Sequence, residues 1–508
     1  MPAASPIVLP VAQYAPDMPA TDPASSANIR NVVPRTPASY GPLAAPAPFS
    51  SALAQRCQGA AAYLDAAGNV DLFAGDAQDL YLLTAGNAPS WSPVSKASQA
   101  YTIGADQRWS FAQFGGRVLA TDFADPIQSF TLGLAGPFAD LAAAAPKARY
   151  IATVKGFLAA ANTSDPAMGA QPQRVWWSAL NDPTNWPAPG TAAAAQYQSD
   201  YNDLYGEGGW IQGIVGNLGT ADGAVFMEHA VWRMVYVGPP AIFDFFPAQG
   251  VKGCPAPGSI VQLGNLVYFL GEDGFYVFDG TMSRPIGANR VDKTVFADLD
   301  QANLARIVGT VDPINKLILW AYPGSGNSGG NPNHLVIYNW QIDRWSVADV
   351  TLETLLRVLS FGYTLDELGT QLGYAIDTLP FPLDSRAWTG GTVLLAGFDA
   401  SHRLNYFNGG ALAATVDSAE IQPFPGRRAL VKNARPLVDG GTPAIAIGTR
   451  QRLQDAASFG SAVPANALGT CPQRASGRYV RAEVTLPAGA SFSHIAGIEI
   501  EATPAGIR

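Results

Sequence analysis

Apolar and polar positions alternate over short stretches along most of this chain. The clearest run is 225–287, in which 225–237, 259–270 and 274–280 are rich in Val, Ile, Phe, Tyr and Trp and are closed by Gly, Pro, Asn or Asp. Residues of that kind suit a pleated, half-buried surface. Leu263-Gly264-Asn265-Leu266 predicts a two-residue hairpin, because Gly-Asn accepts the positive φ such turns require. Gly271 to Gly274 predicts a second tight turn one strand later. The same grammar recurs in both directions, with clusters of strand signals beginning near 60, 105, 149, 210, 258, 305 and 390. Most intervals are about 45 residues, the length of a four-stranded propeller blade. The pattern predicts an all-β fold, an irregular β-propeller of about six or seven blades over 51–415. A pair of β-sandwiches gives similar signals.

Helical spacing is sparse. Val291, Val295, Phe296 and Leu299 predict one short helix with Asp292 as its N-cap. Residues 351–360 read equally as helix or strand. Residues 1–50 are rich in Pro, Ala and Ser, which excludes a helix or central strand. They predict a disordered tail or an extended arm lying on a neighbour, and the apolar spots 7–9 and 29–33 favour the arm. Texture changes near 416, where 444–448, 478–486 and 495–500 predict a C-terminal β-sandwich-like module spanning 416–508.

Composition sharpens this picture. Fifty-two Gly and 40 Pro, spread along 508 residues with 48 % hydrophobic positions, predict many turns around sizeable cores. The net charge of −9 argues against general nucleic-acid binding, which needs a basic face. The acidic excess lies in 51–419, whereas 420–508 holds ten basic and six acidic residues. A basic end suits docking on an acidic partner, or is simply a solvated surface. Cys57, Cys254 and Cys471 are far apart and odd in number, which argues against a disulfide framework or zinc site. Prolines at 2, 6, 10, 16 and 19 interrupt the start and predict no secretory leader. No run of about 18 apolar residues predicts a membrane-spanning helix. A soluble product of the cytoplasm is the expectation.

Candidate chemistry is thin. Gly326-Asn327-Ser328-Gly329-Gly330 matches G-x-S-x-G, yet it falls between two strand signals, where a nucleophile elbow needs a strand and a helix. The four histidines, His229, His334, His402 and His494, stand singly, without metal-ligand spacing. Asp200 to Glu207 is a calcium-loop look-alike that fails at Leu204. The Asp-box of sialidase-type propellers is absent. Trp176, Trp177, Trp186, Trp340 and Trp345 are candidate sugar-stacking platforms, with packing between blades as the simpler use.

Several phrases resemble a tail-protein family of short-tailed bacteriophages, known as the tail nozzle, the hub or the packaged-DNA stabilisation protein. They are Arg174-Val-Trp-Trp-Ser178 with Asn181 to Trp186; Val225-Phe-Met-Glu-His229 with Trp232 to Gly238; and Gly253-Cys-Pro-Ala-Pro257. Val267 to Gly271 with Asp273 to Gly280 follows, then Val311 to Tyr322 with Tyr338-Asn-Trp340 and Asp343-Arg-Trp-Ser346. They span 174–346 in order, with weaker echoes to 410. The resemblance implies a structural virion protein of the tail, made in the host cytoplasm, with no enzymatic activity, catalytic residue or cofactor. It implies a homohexameric ring below the portal and adaptor protein, with tail fibres or spikes outside. Genomic DNA would be sealed in and later pass through the bore without sequence-specific binding. Six copies of a chain carrying −9 place about −54 around that bore, which would repel phosphate at Debye-length range. The basic stretch Arg427, Arg428, Lys432 and Arg435 is the candidate for docking the ring on its neighbour, or else an exposed basic loop. A carbohydrate-binding propeller, such as a receptor-binding adhesin, and a propeller glycoside hydrolase are the alternatives.

Overall fold

In a computed structural model, residues 6–506 are described except for 85, 87, 98–99, 249, 251 and 362–390. Seven four-stranded antiparallel blades follow one another, six as separate sheets and one as part of a ten-stranded sheet. Blade 1 is built from Gly59–Leu64, Val70–Gly75, Leu80–Thr84 and Ser90–Pro93; blade 2 starts at Ser110–Phe114, blade 3 at Lys147–Val154 and blade 4 at Ile211–Gly216. Blade 5 starts at Val261–Leu263, blade 6 at Val308–Asp312 and blade 7 at Thr354–Leu359. Around one axis the first strands of blades 1 to 4, of blades 5 to 7, and of blades 7 and 1 meet in turn. Seven apolar clusters sit between consecutive blades among the described residues; Phe73, Trp109, Val118 and Phe130, for example, join blades 1 and 2. Burial of alternate positions on both faces of each sheet is what the pattern of short apolar strands requires.

The predicted turns form as expected. Gly264 has φ +58° and Leu263 pairs with Leu266, while the Gly271 amide donates to the Gly274 carbonyl at 2.8 Å. The seventh start differs from the expected residue 390. Blade 7 begins at Thr354, in the ambiguous stretch 351–360, which is a strand paired with Val393–Phe398. Helix–strand ambiguity there arose from the continuous run Leu352 to Leu359, which carries no clear period. The short helix spans Asp292–Asp298, but Asp292 is its first residue and not its N-cap. The Asp292 carboxylate instead accepts from the Phe275 amide, and the helix is capped from far away by Asp17, whose carboxylate accepts from the Lys293 and Thr294 amides at 2.8 and 2.9 Å.

Asp17 belongs to the segment expected as an arm on a neighbour. That segment is woven into the chain's own sheets. Ala44–Ala52 is the fourth, outermost strand of blade 7, antiparallel to Arg403–Ala411, and so closes the wheel. Ile29–Arg30 pairs parallel with blade 6 at Val347 and antiparallel with Ala414–Asp417. Pro6–Pro10 lies on Ile495–Ala505, and Ser39–Pro42 pairs with the same strand.

The C-terminal residues form two facing sheets whose shared core includes Val431, Ile447, Val480, Ile498 and Ile500. One sheet is continuous with blade 6 through Ile29–Arg30, then Ala414–Asp417, Tyr479–Leu486 and Ala444–Arg450. The other orders Cys471–Gly477, Arg428–Val438, Ile495–Ala505 and Ser39–Pro42. The sandwich therefore takes strands from both ends of the chain and is fused to the propeller through backbone hydrogen bonds.

Candidate functional site

The expected docking residues lie on the outer sheet of the sandwich. Arg427 is in the turn before, and Arg428, Lys432 and Arg435 are on the strand Arg428–Val438, where a basic loop was the alternative. Ala429, Val431 and Ala434 of that strand face the core. Arg428 and Arg435 are seven residues apart, which in a regular strand places them on opposite faces. A bulge at Lys432, between the paired positions Val431 and Asn433, shifts the parity and turns both outward. Glu499 stands opposite Arg435 and Glu501 opposite Asn433, so the face is of mixed charge.

The remaining sequence candidates serve the fold. Ser328 is in the hairpin loop joining Leu317–Tyr322 to His334–Asn339, with no following helix. Asp200–Asp203 is a strand, and Asp203 receives two hydrogen bonds, at 2.6 and 2.7 Å, from the buried Arg174. Trp176, Trp177, Trp186 and Trp345 are buried, and Trp340 packs against the core, so none is a free stacking surface. His334 Nδ1 is 2.9 Å from the Asp349 carboxylate, which also pairs with Arg30 of the N-terminal segment. His402 Nδ1 is 2.6 Å from Glu353, His229 faces Glu272, and His494 Nδ1 is 2.9 Å from Ser39 Oγ. Among the described residues no three His, Cys, Asp or Glu side chains group as a metal site.

Sequence reasoning passed over the axis of the wheel. The innermost strands begin at one face, and there Arg56, Arg108, Arg149 and Arg306 gather with Asp106, Asp122 and Glu353. Most of these charges are answered. Arg306 Nε is 3.5 Å from Asp106, and its Nη1 donates to the Gly329 carbonyl at 2.8 Å. Arg56 donates to the Ala105 carbonyl at 2.5 Å; burial, then the nearby Arg306 charge, push its pKa down. Glu353 accepts from the Cys57 amide at 2.9 Å as well as facing His402, and burial holds its carboxyl above the usual range. Asp122 is pushed up to about 6 by burial. Arg149 lies over the Phe123 ring at 4.4 Å.

Arg108 is the exception. Its guanidinium rests so closely on the backbone of Gly258 that any side chain there would collide with it. Among the described residues it makes no ion pair and no side-chain hydrogen bond, and burial pushes its pKa down. Behind it opens a chamber of about 290 Å3 on the axis, walled by the innermost strands of blades 1, 2, 6 and 7. Among the described residues, Arg108 and Arg357 are its two charged lining residues, Tyr63, Thr310 and Thr354 are among the neutral polar ones, and no carboxylate lines it. Arg357 breaks the run Leu355-Leu356-Arg357-Val358, and that interruption was the only signal in the sequence.

No family model matches the chain, and no curated protein matches it. Among solved structures, the WD40 β-propeller domain of Doa1 is 7 % identical with a TM-score of 0.39, over 72 % of this chain and 95 % of that one. A chain of the mitotic checkpoint complex is 10 % identical with a TM-score of 0.35, over 72 % and 97 %. The extracellular domain of a putative one-component system from B. thetaiotaomicron is 8 % identical with a TM-score of 0.40, over 88 % and 58 %. The propeller assignment itself rests on the strand order and the clusters between blades.

Proposed function

We propose that this protein is a structural ring subunit of a short phage tail, a nozzle or hub through which packaged DNA is retained and then released. The observation that carries the reading is the ordered set of phrases over 174–346, which falls on strands and loops of blades 3 to 6. Their polar and aromatic residues are spent on structure. Arg174 is 1 % exposed and stacks 3.8 Å above the Tyr201 ring. Trp186 Nε1 donates to the Pro183 carbonyl, and Trp320 Nε1 to the Ser259 carbonyl. Residues that only build blades suit a role carried by the shape of an assembly.

Two surfaces suit such an assembly. The outer sheet of the sandwich carries Arg427, Arg428, Lys432 and Arg435 for contact with a neighbouring ring. Near the Arg174–Asp203 pair, Met168 is 51 % and Tyr205 71 % exposed, apolar surface of the kind a subunit contact covers. The test is electron microscopy of the purified full chain. Six-fold rings with an open bore are expected, and particles that remain single subunits at every concentration would overturn the reading.

A further inference from the structure

We propose that the chamber on the propeller axis binds a small oxyanion, a molecule presenting phosphate or carboxylate groups, between Arg108 and Arg357. The inference stands apart from the ring reading and rests on how charge is distributed. The chain is acidic overall, yet among the described residues the chamber is lined by two arginines and no acid. Two arginines elsewhere in the protein, Arg174 and Arg450, are matched. Arg174 has Asp203, and Arg450 donates to Glu420 at 3.0 Å through Nε. Arg108 and Arg357 have no such carboxylate among the described residues.

A guanidinium stays protonated at any working pH, so both arginines keep their charge in the chamber. Arg108 is half-buried and Arg357 exposed, and neither charge is paired with a carboxylate among the described residues. The planar fork of an arginine is made to hold two oxygens of one carboxylate or phosphate. Tyr63, Thr310 and Thr354 add neutral hydroxyls to the wall. At about 290 Å3 the chamber is at the lower end of small-ligand sites and admits a small molecule, not a polymer. Nucleic acid passing through a ring of these subunits would therefore use a different passage.

The test is isothermal titration calorimetry of the full chain at low salt, with inorganic phosphate and, separately, citrate as probes. Saturable binding of one anion per chain is expected for at least one probe, and which probe binds separates a phosphate from a carboxylate ligand. Arg108→Gln and Arg357→Gln should each weaken it roughly tenfold or more, the loss expected for a charge-assisted hydrogen bond. Arg452→Gln, on the exposed surface of the sandwich, should leave it unchanged. If Arg108→Gln does not fold, Arg357→Gln decides, because its side chain already faces open space. No saturable binding by either probe, or equal binding by the wild type and the chamber variants, would overturn the proposal.

Discussion

Arg174 shows how one residue holds a blade. It lies on the third strand of blade 3, donates twice to Asp203 on the fourth and stacks on Tyr201. Removing it leaves the Asp203 carboxylate largely buried without its counter-charge, so Arg174→Met should cost about 3–5 kcal/mol in chemical denaturation. The Arg174 hydrogen bonds hold the Asp203 carboxyl below its usual pKa. A depressed carboxyl contributes stability above its unfolded value and loses it as pH falls through the folded value, so the variant's deficit should shrink in acid. A second carboxyl has the opposite sign. Asp417 is buried opposite Glu483 across the ladder that fuses sandwich to blade 6. Burial and the Glu483 charge hold it well above the ordinary carboxylate range. The folded state then binds a proton that the unfolded chain has released, and stability falls as pH rises from about 4 toward the raised value. Asp417→Asn should flatten that fall, so its denaturation midpoint should gain more over wild type at pH 8 than at pH 5. An equal gain at both would refute the raised Asp417 carboxyl.

Among the elements, Ala44–Ala52 has the largest consequence. Blade 7 receives three strands from the C-terminal side of the propeller and its outermost strand from the N-terminal side, so the wheel is fastened by a ladder between distant parts of the chain. Deleting residues 1–52 removes that ladder, the Asp17 cap and the strand Ile29–Arg30 that links blade 6 to the sandwich. It leaves the edge of Arg403–Ala411 unpaired, a template for pairing with other chains. The truncated protein should elute as large aggregates in size-exclusion chromatography, and recovery as a stable monomer would show that the ladder is dispensable. Most of the elements were legible in the sequence because Gly and Asn punctuate them and β-branched and aromatic residues fill them. The strand Arg428–Val438 was not, because its bulge at Lys432 breaks the two-residue period and its charges mimic a loop. Nor could sequence place the Asp17 cap, since its partners are the amides of Lys293 and Thr294.

At the scale of the whole molecule, wheel and sandwich are joined by a continuous ten-stranded sheet and by one extended apolar cluster. Tyr14, Ile29 and Tyr40 pack there with Trp345, Val416 and Ile495. A sandwich held this way presents its outer sheet at a fixed angle, which a docking surface in a ring needs. Replacing Arg427, Arg428, Lys432 and Arg435 together by Gln should abolish docking of the ring on its neighbour in an assembly assay, while thermal stability changes little because Arg427, Lys432 and Arg435 are exposed. Unchanged assembly would remove this face from the interface.

The chain's own pattern was enough to set an all-β fold, the rhythm of the blades and most turn positions, since these follow from local backbone preference and from which side chains a strand can bury. It also placed Ser328 between two strands, where the structure has it. The number of blades, the closure by Ala44–Ala52 and the two-ended make-up of the sandwich were decided by pairing between residues hundreds of positions apart. The chamber belongs to that second group. Arg108 and Arg357 are ordinary arginines in the sequence, and only closure of the wheel brings them to one cavity that no carboxylate among the described residues lines.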